Sequence, residues 1–475
     1  MYPVLVFAIL ASGCRWTGTN TSYKQTELED HLRISEANYV ITSIGSLETV
    51  QAAIKGLTAE IEIVLFSDVL ADEPAIIGDG FRTLHHLMKT AVYLPLRDRL
   101  KDVSADSVAT LMSTSGTTGL PKMVQRTHRA LILETQANED ENAAKPYDVR
   151  RLFCTPIFHA FSFPEMVVNA LRLGQPSYFM KRFDDSFAQK VYDFGITETM
   201  AAPPMLLRLA NQAEKEIERK TLQSLRMVLC AGAQLVAELR TKFLRVFECP
   251  PRIVQVWGMT EGGWFSTFKY PEDDSTGSVG RVITGYQVRM SSEHTVELAD
   301  GRLAAALLGR GPQLMTGYLG NPVATAEGLT KDGWLKTGDI GYVDDDGKIY
   351  LVDRAKDIIK VNGWQVSPAE LEAVLFQSSD VLDAAALGVG HDIDEHPVAF
   401  VIRSHEDVTE TRIKEHLLSR LARYKVSKCE VRFVDALPRT SSGKILRRVL
   451  RAQYEEEVGV KSQHCTNGIG RCKDI

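Results

Sequence analysis

The residues most able to do chemistry lie in "LMSTSGTTGLPK", Leu111 to Lys122, where a strand-like apolar run enters a loop of Ser, Thr and Gly that ends on a lysine. Such a loop presents backbone N–H groups, hydroxyls and one cation, which together suit a polyphosphate. It is not a Walker A loop, because the G-x-x-x-x-G-K-[ST] spacing is absent. The alternative is a flexible surface turn, but seven consecutive residues of this kind directly after a buried strand argue against it. Two other sites carry reactive side chains with weaker support. "HDIDEH", His391 to His396, has metal-ligand residue types, yet an acidic turn between two strands explains it more simply. Cys465 and Cys472 could pair, but are better read as free thiols in a mobile tail.

The surrounding elements must hold that loop. From about residue 100 to 265, the runs "VATLM", "RLFCTP", "SYFM", "ITETMAAP", "RMVLCAG" and "RIVQVWG" read as buried strands. Amphipathic segments such as "PMLLRLANQAEKEIERK" and "AELRTKFLRVF" separate them, which predicts βαβ units and a mostly parallel sheet. Within the first, "AEKEIERK" reads as a solvated helix face. From about 275 to 350 the strands shorten and hairpin turns appear, as in "GYVDDDGKIYLVD". Near residue 355 a third region begins, in which Ser367, Pro368 and Glu370 occupy the N-cap, N1 and N3 positions of a capping box.

Composition bounds the possibilities. The chain has 475 residues, 44% apolar and 24% charged, as in an ordinary globular protein. A net charge of -6 gives no electrostatic reason to expect nucleic-acid binding. No apolar stretch approaches the roughly 20 residues that span a bilayer, so stable membrane insertion is not expected. Seven scattered cysteines suggest a reducing compartment, with cytoplasmic localisation as the default. The opening "MYPVLVFAILASGC" has the length of a signal-peptide core, but no basic residue precedes it and the first is Arg15. It reads as a helix, with Thr26 placed to cap a second helix carrying Leu28 and Leu32.

Six motifs in order, "STSGTTGLPK", "PIFHAFSF", "QVWGMTE", "GWLKTGDIGYVDDDG", "DRAKDIIKVNGWQVSPAELE" and "LPRTSSGKILRR", resemble those of the adenylate-forming superfamily, particularly 4-coumarate-CoA ligase-like acyl-CoA synthetases. The resemblance implies an α/β protein: a large N-terminal domain of βαβ subdomains with a small β-barrel-like part, and a small mobile α+β C-terminal domain. Its boundaries would be 1–352 for the AMP-binding domain, shortened at its N-terminus, 353–356 for a hinge, 357–455 for the C-terminal domain and 456–475 for a flexible tail. The opening helix would then belong to the nucleotide-binding domain, with Cys14 a packing residue.

The implied reaction joins a small-molecule carboxylic acid to ATP as acyl-AMP, then transfers the acyl group to coenzyme A. A separate carrier protein as acceptor, or a truncated relative without turnover, are the alternatives. By the same resemblance, Thr114, Ser115, Gly116, Thr117, Thr118, Gly119 and Lys122 would cradle the β- and γ-phosphates. Glu261 would hold Mg²⁺ and Thr260 would contact the α-phosphate. Trp257 would stack on adenine, Gln255 would join the nucleotide ligands, Asp339 would accept from the ribose hydroxyls and Arg354 would support ribose or phosphate. Lys444 would bridge carboxylate and α-phosphate during adenylation. Lys356 matches the hinge, and Lys360, Asn362, Gly363, Trp364 and Gln365 would serve the second half-reaction with CoA. His159 would gate an apolar acyl pocket walled by Phe161, Phe163, Ala202, Ala231, Gly232, Met259 and Gly263, so the acid should be aromatic or aliphatic. Two departures from the pattern are Met123, where Gly is usual and a larger side chain would crowd the loop, and Arg302, where Glu is usual.

Overall fold

The apolar runs between residues 150 and 256 fold into one five-stranded parallel sheet, ordered Arg252–Gln255, Met227–Cys230, Glu198–Ala201, Arg151–Phe153 and Ser177–Phe179. The central strands are buried on both faces, which favours apolar sequence, while the edge strand Ser177–Phe179 leaves Phe179 exposed. Helices Phe187–Asp193, Pro203–Gln212 and Ala237–Leu244 follow strands in the order the alternation predicts. Phe187, Val191, Leu206, Leu209 and Phe243 form a core with Leu152, Val228 and Ile253 of the sheet. The computed structural model describes residues 2–66, 76–77, 80–90, 95, 98, 100–101, 103–114, 121–213, 220–292, 295–298, 301–361, 364–390, 395–440 and 443–458. It divides into two units between Ala355 and Lys356. Most of "AEKEIERK" and "HDIDEH", and both tail cysteines, lie outside the described residues.

The opening stretch is a helix, Tyr2–Ala11, and its Val6 and Leu10 pack into the core that holds Trp16, Met112 and Phe163. Two expectations here are corrected. Cys14 is exposed rather than packed, because the helix ends in a turn through Gly13 at φ +77° and the chain leaves the core before re-entering at Trp16. The second helix, Gln25–Ser35, starts two residues earlier than a Thr26 cap requires. Lys24 is its N-cap, and Glu27 reaches back to accept from the Lys24 N–H at 2.9 Å. Leu28 and Leu32 are buried as their spacing predicts.

A four-stranded sheet positions the glycine-rich loop. Trp16–Thr17 runs parallel to Val108–Ser113, which pairs antiparallel with Met123–Thr127, which in turn pairs antiparallel with Gly317–Tyr318. Met123, where the family pattern has Gly, is 2% exposed and turns into the interior. Further antiparallel sheets make the barrel-like part. Leu303–Arg310 lies between Gln287–Met290 and Leu335–Val343, and Leu335–Val343 turns through Gly347, at φ +78°, into Ile349–Arg354. Arg302 donates to the Tyr342 hydroxyl and stacks 4.4 Å over that ring.

In the C-terminal unit Val381–Val389 pairs antiparallel with His396–Arg403, which pairs parallel with Glu430–Phe433. Helix Pro368–Leu375 begins where its cap predicts: Ser367 Oγ accepts from Glu370 N at 3.3 Å. The box is only half formed, because the Glu370 carboxylate takes Lys425 Nζ at 2.6 and 2.7 Å instead. Helix Arg447–Val458 runs past the expected start of the tail at 456, since Leu450 and Tyr454 give it a buried face. Among the described residues no helix is long and apolar enough to cross a membrane.

One buried ion pair ties these parts of the large unit together. Thr127 ends the strand that follows Lys122 and caps helix His128–Ala137, accepting from Ala130 N at 3.1 Å. Arg126 and Glu134 thereby face each other at 1% and 0% side-chain exposure, Nη1 to Oε2 at 2.8 Å. Arg126 Nη2 also donates to Gln313 O (2.9 Å), and Glu134 Oε1 accepts from Trp264 N (3.1 Å). Burial pushes the Glu134 carboxyl up, and the Arg126 guanidinium pulls against it. Glu134→Ala strands a buried guanidinium, and urea denaturation should show a loss of about 3–5 kcal/mol. Adding Arg126→Met in the same chain should recover part of that loss.

Candidate active site

The glycine-rich loop is the connection of an antiparallel strand pair, and its neck is closed at both ends. Thr114 N donates to Lys122 O (2.9 Å) and Lys122 N to Thr114 Oγ1 (3.3 Å), just beyond the Ser113–Met123 register pair. Ser115, Gly116, Thr117, Thr118 and Gly119 lie outside the described residues. Lys122 Nζ stands 5.1 Å from the centroid of the Tyr318 ring, within cation–π range. The Tyr318 hydroxyl donates to Glu261 Oε1 at 2.8 Å. Lys122, Tyr318 and Glu261 therefore form one cluster, with Thr260 half-buried beside it.

Sequence reasoning missed Tyr318. The segment carrying it is stitched to both expected site elements: Thr316 N donates to Gln125 O (3.0 Å), Leu319 N to Met123 O (2.8 Å) and Met315 N to Glu261 O (2.7 Å). Its only signal in sequence is "MTGYLGNP", an aromatic among turn residues with nothing chemical about it. Burial and the Glu261 carboxylate push the Tyr318 phenol up, so it stays protonated and remains the donor. Glu261 is 7% exposed, and its Oε2 takes no hydrogen bond among the described residues. A buried, hard oxygen donor with an open lone pair fits a magnesium ion.

Asp339 is held from two sides. Its Oδ2 accepts from Trp257 Nε1 (2.8 Å) and its Oδ1 from Arg354 Nε (2.6 Å), with Asp339 and Arg354 register partners on adjacent strands. Trp257 is 3% exposed and packs edge-on against Phe265, centroids 4.8 Å apart. The ring expected to stack on adenine is thus a buried strut that aims a carboxylate. Gln255 is likewise committed to the fold, donating to Gly277 O (3.1 Å) and Ser278 O (3.2 Å) and accepting from Leu235 N (3.2 Å).

The expected acyl-pocket residues divide. His159 is half-buried, and its Nδ1 accepts from Phe161 N at 3.3 Å. Phe161 stacks on Trp264 at 5.7 Å, and Trp264 Nε1 donates to Phe161 O at 3.2 Å. Ala202 and Ala231 are buried just beyond strands of the parallel sheet, and Gly232 follows, exposed, at φ +90°. Met259 is half-buried against the same core. Phe163 is instead fully buried, 4.5 Å from Trp16, and belongs to the core rather than a wall. Gly263 answers a different need: at φ +70° a Cβ there would stand 2.1 Å from Glu134 Oε1, so it admits the buried carboxylate.

In the C-terminal unit, Lys444 is half-buried on a hairpin closed by the Arg439–Ile445 bridge. Thr440 N donates to Lys444 O (2.8 Å), and Lys444 N to Thr440 Oγ1 (3.1 Å). Lys356 opens this unit in a turn, and Lys360 and Gln365 are register partners in the hairpin Ile359–Val361/Trp364–Val366. Asn362 and Gly363 lie outside the described residues.

Comparison with known proteins agrees with this architecture. Residues 1–319 match the AMP-binding enzyme family and residues 370–444 its C-terminal domain. An acyl-CoA ligase of a Phoma species is 55% identical over 97% of this chain and 86% of its own length. An acyl-CoA ligase of Cochliobolus lunatus is 59% identical over 70% of this chain and 97% of its own. The crystal structure of ATP-bound MatB from Rhodopseudomonas palustris shares the fold, with a TM-score of 0.81 at 24% identity, covering 96% of this chain and 87% of that one. The chain belongs to the AMP-binding enzyme family, among its acyl-CoA ligases.

Proposed function

We propose that this acid–thiol ligase activates an apolar carboxylic acid with MgATP and delivers the acyl group to coenzyme A in a reducing, cytoplasmic setting. The observation that carries the reading is the Lys122–Tyr318–Glu261 cluster at the neck of the glycine-rich loop. It sets a cation and a buried carboxylate side by side without letting them neutralise each other, because a neutral phenol stands between them.

In the first half-reaction a carboxylate oxygen attacks the α-phosphorus, the bond to the β-phosphate bridging oxygen breaks, and pyrophosphate leaves with the electron pair. The demand on the protein is electrostatic. Thr114 to Gly119 and Lys122 hold the leaving phosphates, Thr260 contacts the α-phosphate, and Asp339 accepts from the ribose hydroxyls in the orientation that Trp257 and Arg354 impose. Glu261 would hold Mg²⁺, which supplies charge neutralisation at the phosphates. Lys444 adds positive charge between the carboxylate and the α-phosphate. In the second half-reaction the CoA thiolate attacks the acyl carbon, a thioester bond forms, and AMP leaves with the electron pair. Lys360, Asn362, Gly363 and Gln365 serve that step. Phe161, Met259, Ala231 and Gly232, with His159 at the mouth, offer an apolar surface to the acid.

Carboxylate-dependent ATP–pyrophosphate exchange tests the reading with benzoate, phenylacetate, 4-coumarate, hexanoate and decanoate. At least one of these apolar acids should support exchange, and adding CoA should then release the acyl thioester. Failure with all five would overturn it. Lys444→Ala should lower exchange by at least about a hundredfold while leaving the thermal transition in place. Tyr318→Phe removes one hydrogen bond to a charged group, typically about 1.5–3 kcal/mol. Calorimetry should then show MgATP binding roughly tenfold weaker, with the Lys122 contact to the ring retained.

A further inference from the structure

The Lys444 hairpin is short, and both its apolar ends are anchored. Leu437 is buried with Val398, Phe400 and Leu450 in one core of the C-terminal unit, and Ile445 packs against it. Hydrogen bonds between Thr440 and Lys444, and from Gly443 N to Thr440 O at 2.9 Å, close the turn, and a guanidinium ties it to the sheet. Arg439 Nη2 donates to both oxygens of Asp383, at 2.9 and 2.8 Å, and its Nη1 donates to Gly443 O at 2.9 Å. Gly443 immediately precedes Lys444 and sits at φ +85°, where an L side chain would be strained.

Asp383 is itself fixed. It lies at the register irregularity of strand Val381–Val389, and its Oδ1 also accepts from Ala384 N at 2.9 Å. The two side chains are only 20% and 19% exposed, so solvent screens the pair partially. Sheet, carboxylate, guanidinium and Gly443 carbonyl form one chain of contacts that ends one peptide unit short of Lys444. Only a planar, forked cation can bind a carboxylate and a carbonyl in fixed relative positions; an ammonium at the same place is a single point.

We infer that Arg439, held by Asp383, is a positioning residue for Lys444, setting where its ammonium is presented during adenylation. The inference rests on the role proposed above for Lys444. It has a consequence that a merely stabilising ion pair would not have. Lys444 serves the first half-reaction, so loosening its hairpin should slow acyl-adenylate formation and spare thioester formation.

The experiment compares Arg439→Lys, Asp383→Asn and their combination with the parent enzyme in the two half-reactions separately. The panel acid giving the fastest exchange is presented either free with MgATP or as its synthetic acyl-adenylate with CoA. Both single variants should lose roughly ten- to a hundredfold in pyrophosphate exchange, chiefly in kcat, since a displacement of about 1 Å can cost that much. Thioester formation from the supplied adenylate should stay within about twofold of the parent, and the double variant should be no worse than the poorer single one. Equal losses in both half-reactions would make the pair structural only, and unchanged exchange in folded variants would also overturn the proposal. Lys444→Ala separates this from the underlying reading. If that variant keeps full exchange, the role of Lys444 is wrong; if it abolishes exchange while Arg439→Lys and Asp383→Asn do not, only the positioning role fails. Should Arg439→Lys not fold, Asp383→Asn alone carries the comparison.

Discussion

The ion pair between Arg126 and Glu134 is the constraint around which the nucleotide-binding part of this enzyme is arranged. A guanidinium and a carboxylate almost wholly out of water need partners for much of their remaining hydrogen-bonding capacity. Here Trp264 N and Gln313 O supply two, each from a different part of the chain, while Arg126 Nε has none among the described residues. The pair therefore fixes, at one point, the strand that begins at Met123, the helix that follows it, the turn after Glu261 and the segment leading to Tyr318. Gly263 follows from the same requirement, since any side chain there would collide with Glu134. The position of Lys122 relative to Glu261 is a by-product of satisfying a buried charge.

A second regularity concerns how the acidic residues are held. Glu261 is oriented by a phenol and Asp339 by an indole, neutral donors that fix a carboxylate without cancelling its charge. For Glu261 the consequence is a carboxylate that keeps its full attraction for a cation. Asp339 differs in that Arg354 also engages it, which suits the role proposed for it, accepting hydrogen bonds from neutral hydroxyls. Trp257 is embedded in the fold, so removing it changes the aim of a charge, whereas Tyr318 is half-buried. The basic residue Arg439 repeats the device in the C-terminal unit, where a turn rather than a carboxylate is what must be held.

Much of this was legible in the chain itself. The parallel sheet follows from apolar runs separated by amphipathic segments, because burial on both faces leaves a strand no polar side. Ser367 capping its helix, the hairpin through Gly347 and the glycine-rich loop ahead of Lys122 are all local, decided within a few residues by backbone geometry and hydrogen bonding. Where local signals were misread, at Thr26 and Cys14, the competing choice was also local: a different cap two residues earlier, and a glycine turn that carries the chain outward.

What the tertiary structure decided is who meets whom. Tyr318 reaches Glu261 across 57 positions, Trp257 reaches Asp339 across 82, and Trp264 reaches Glu134 across 130. Nothing in the periodicity of either partner encodes the other, since periodicity reports only which face of an element is buried. The sequence alone determined the order of elements, the chemistry available in the glycine-rich loop and the residue types of the motifs. Strand pairing, above all that of Gly317–Tyr318 onto Met123–Thr127, brought Lys122, Tyr318 and Glu261 together, while the fold made struts of Trp257 and Gln255 and left room at Gly263 for Glu134. The physical reason is that a polar group inside a protein must find its partner wherever the fold brings one, however far away along the chain.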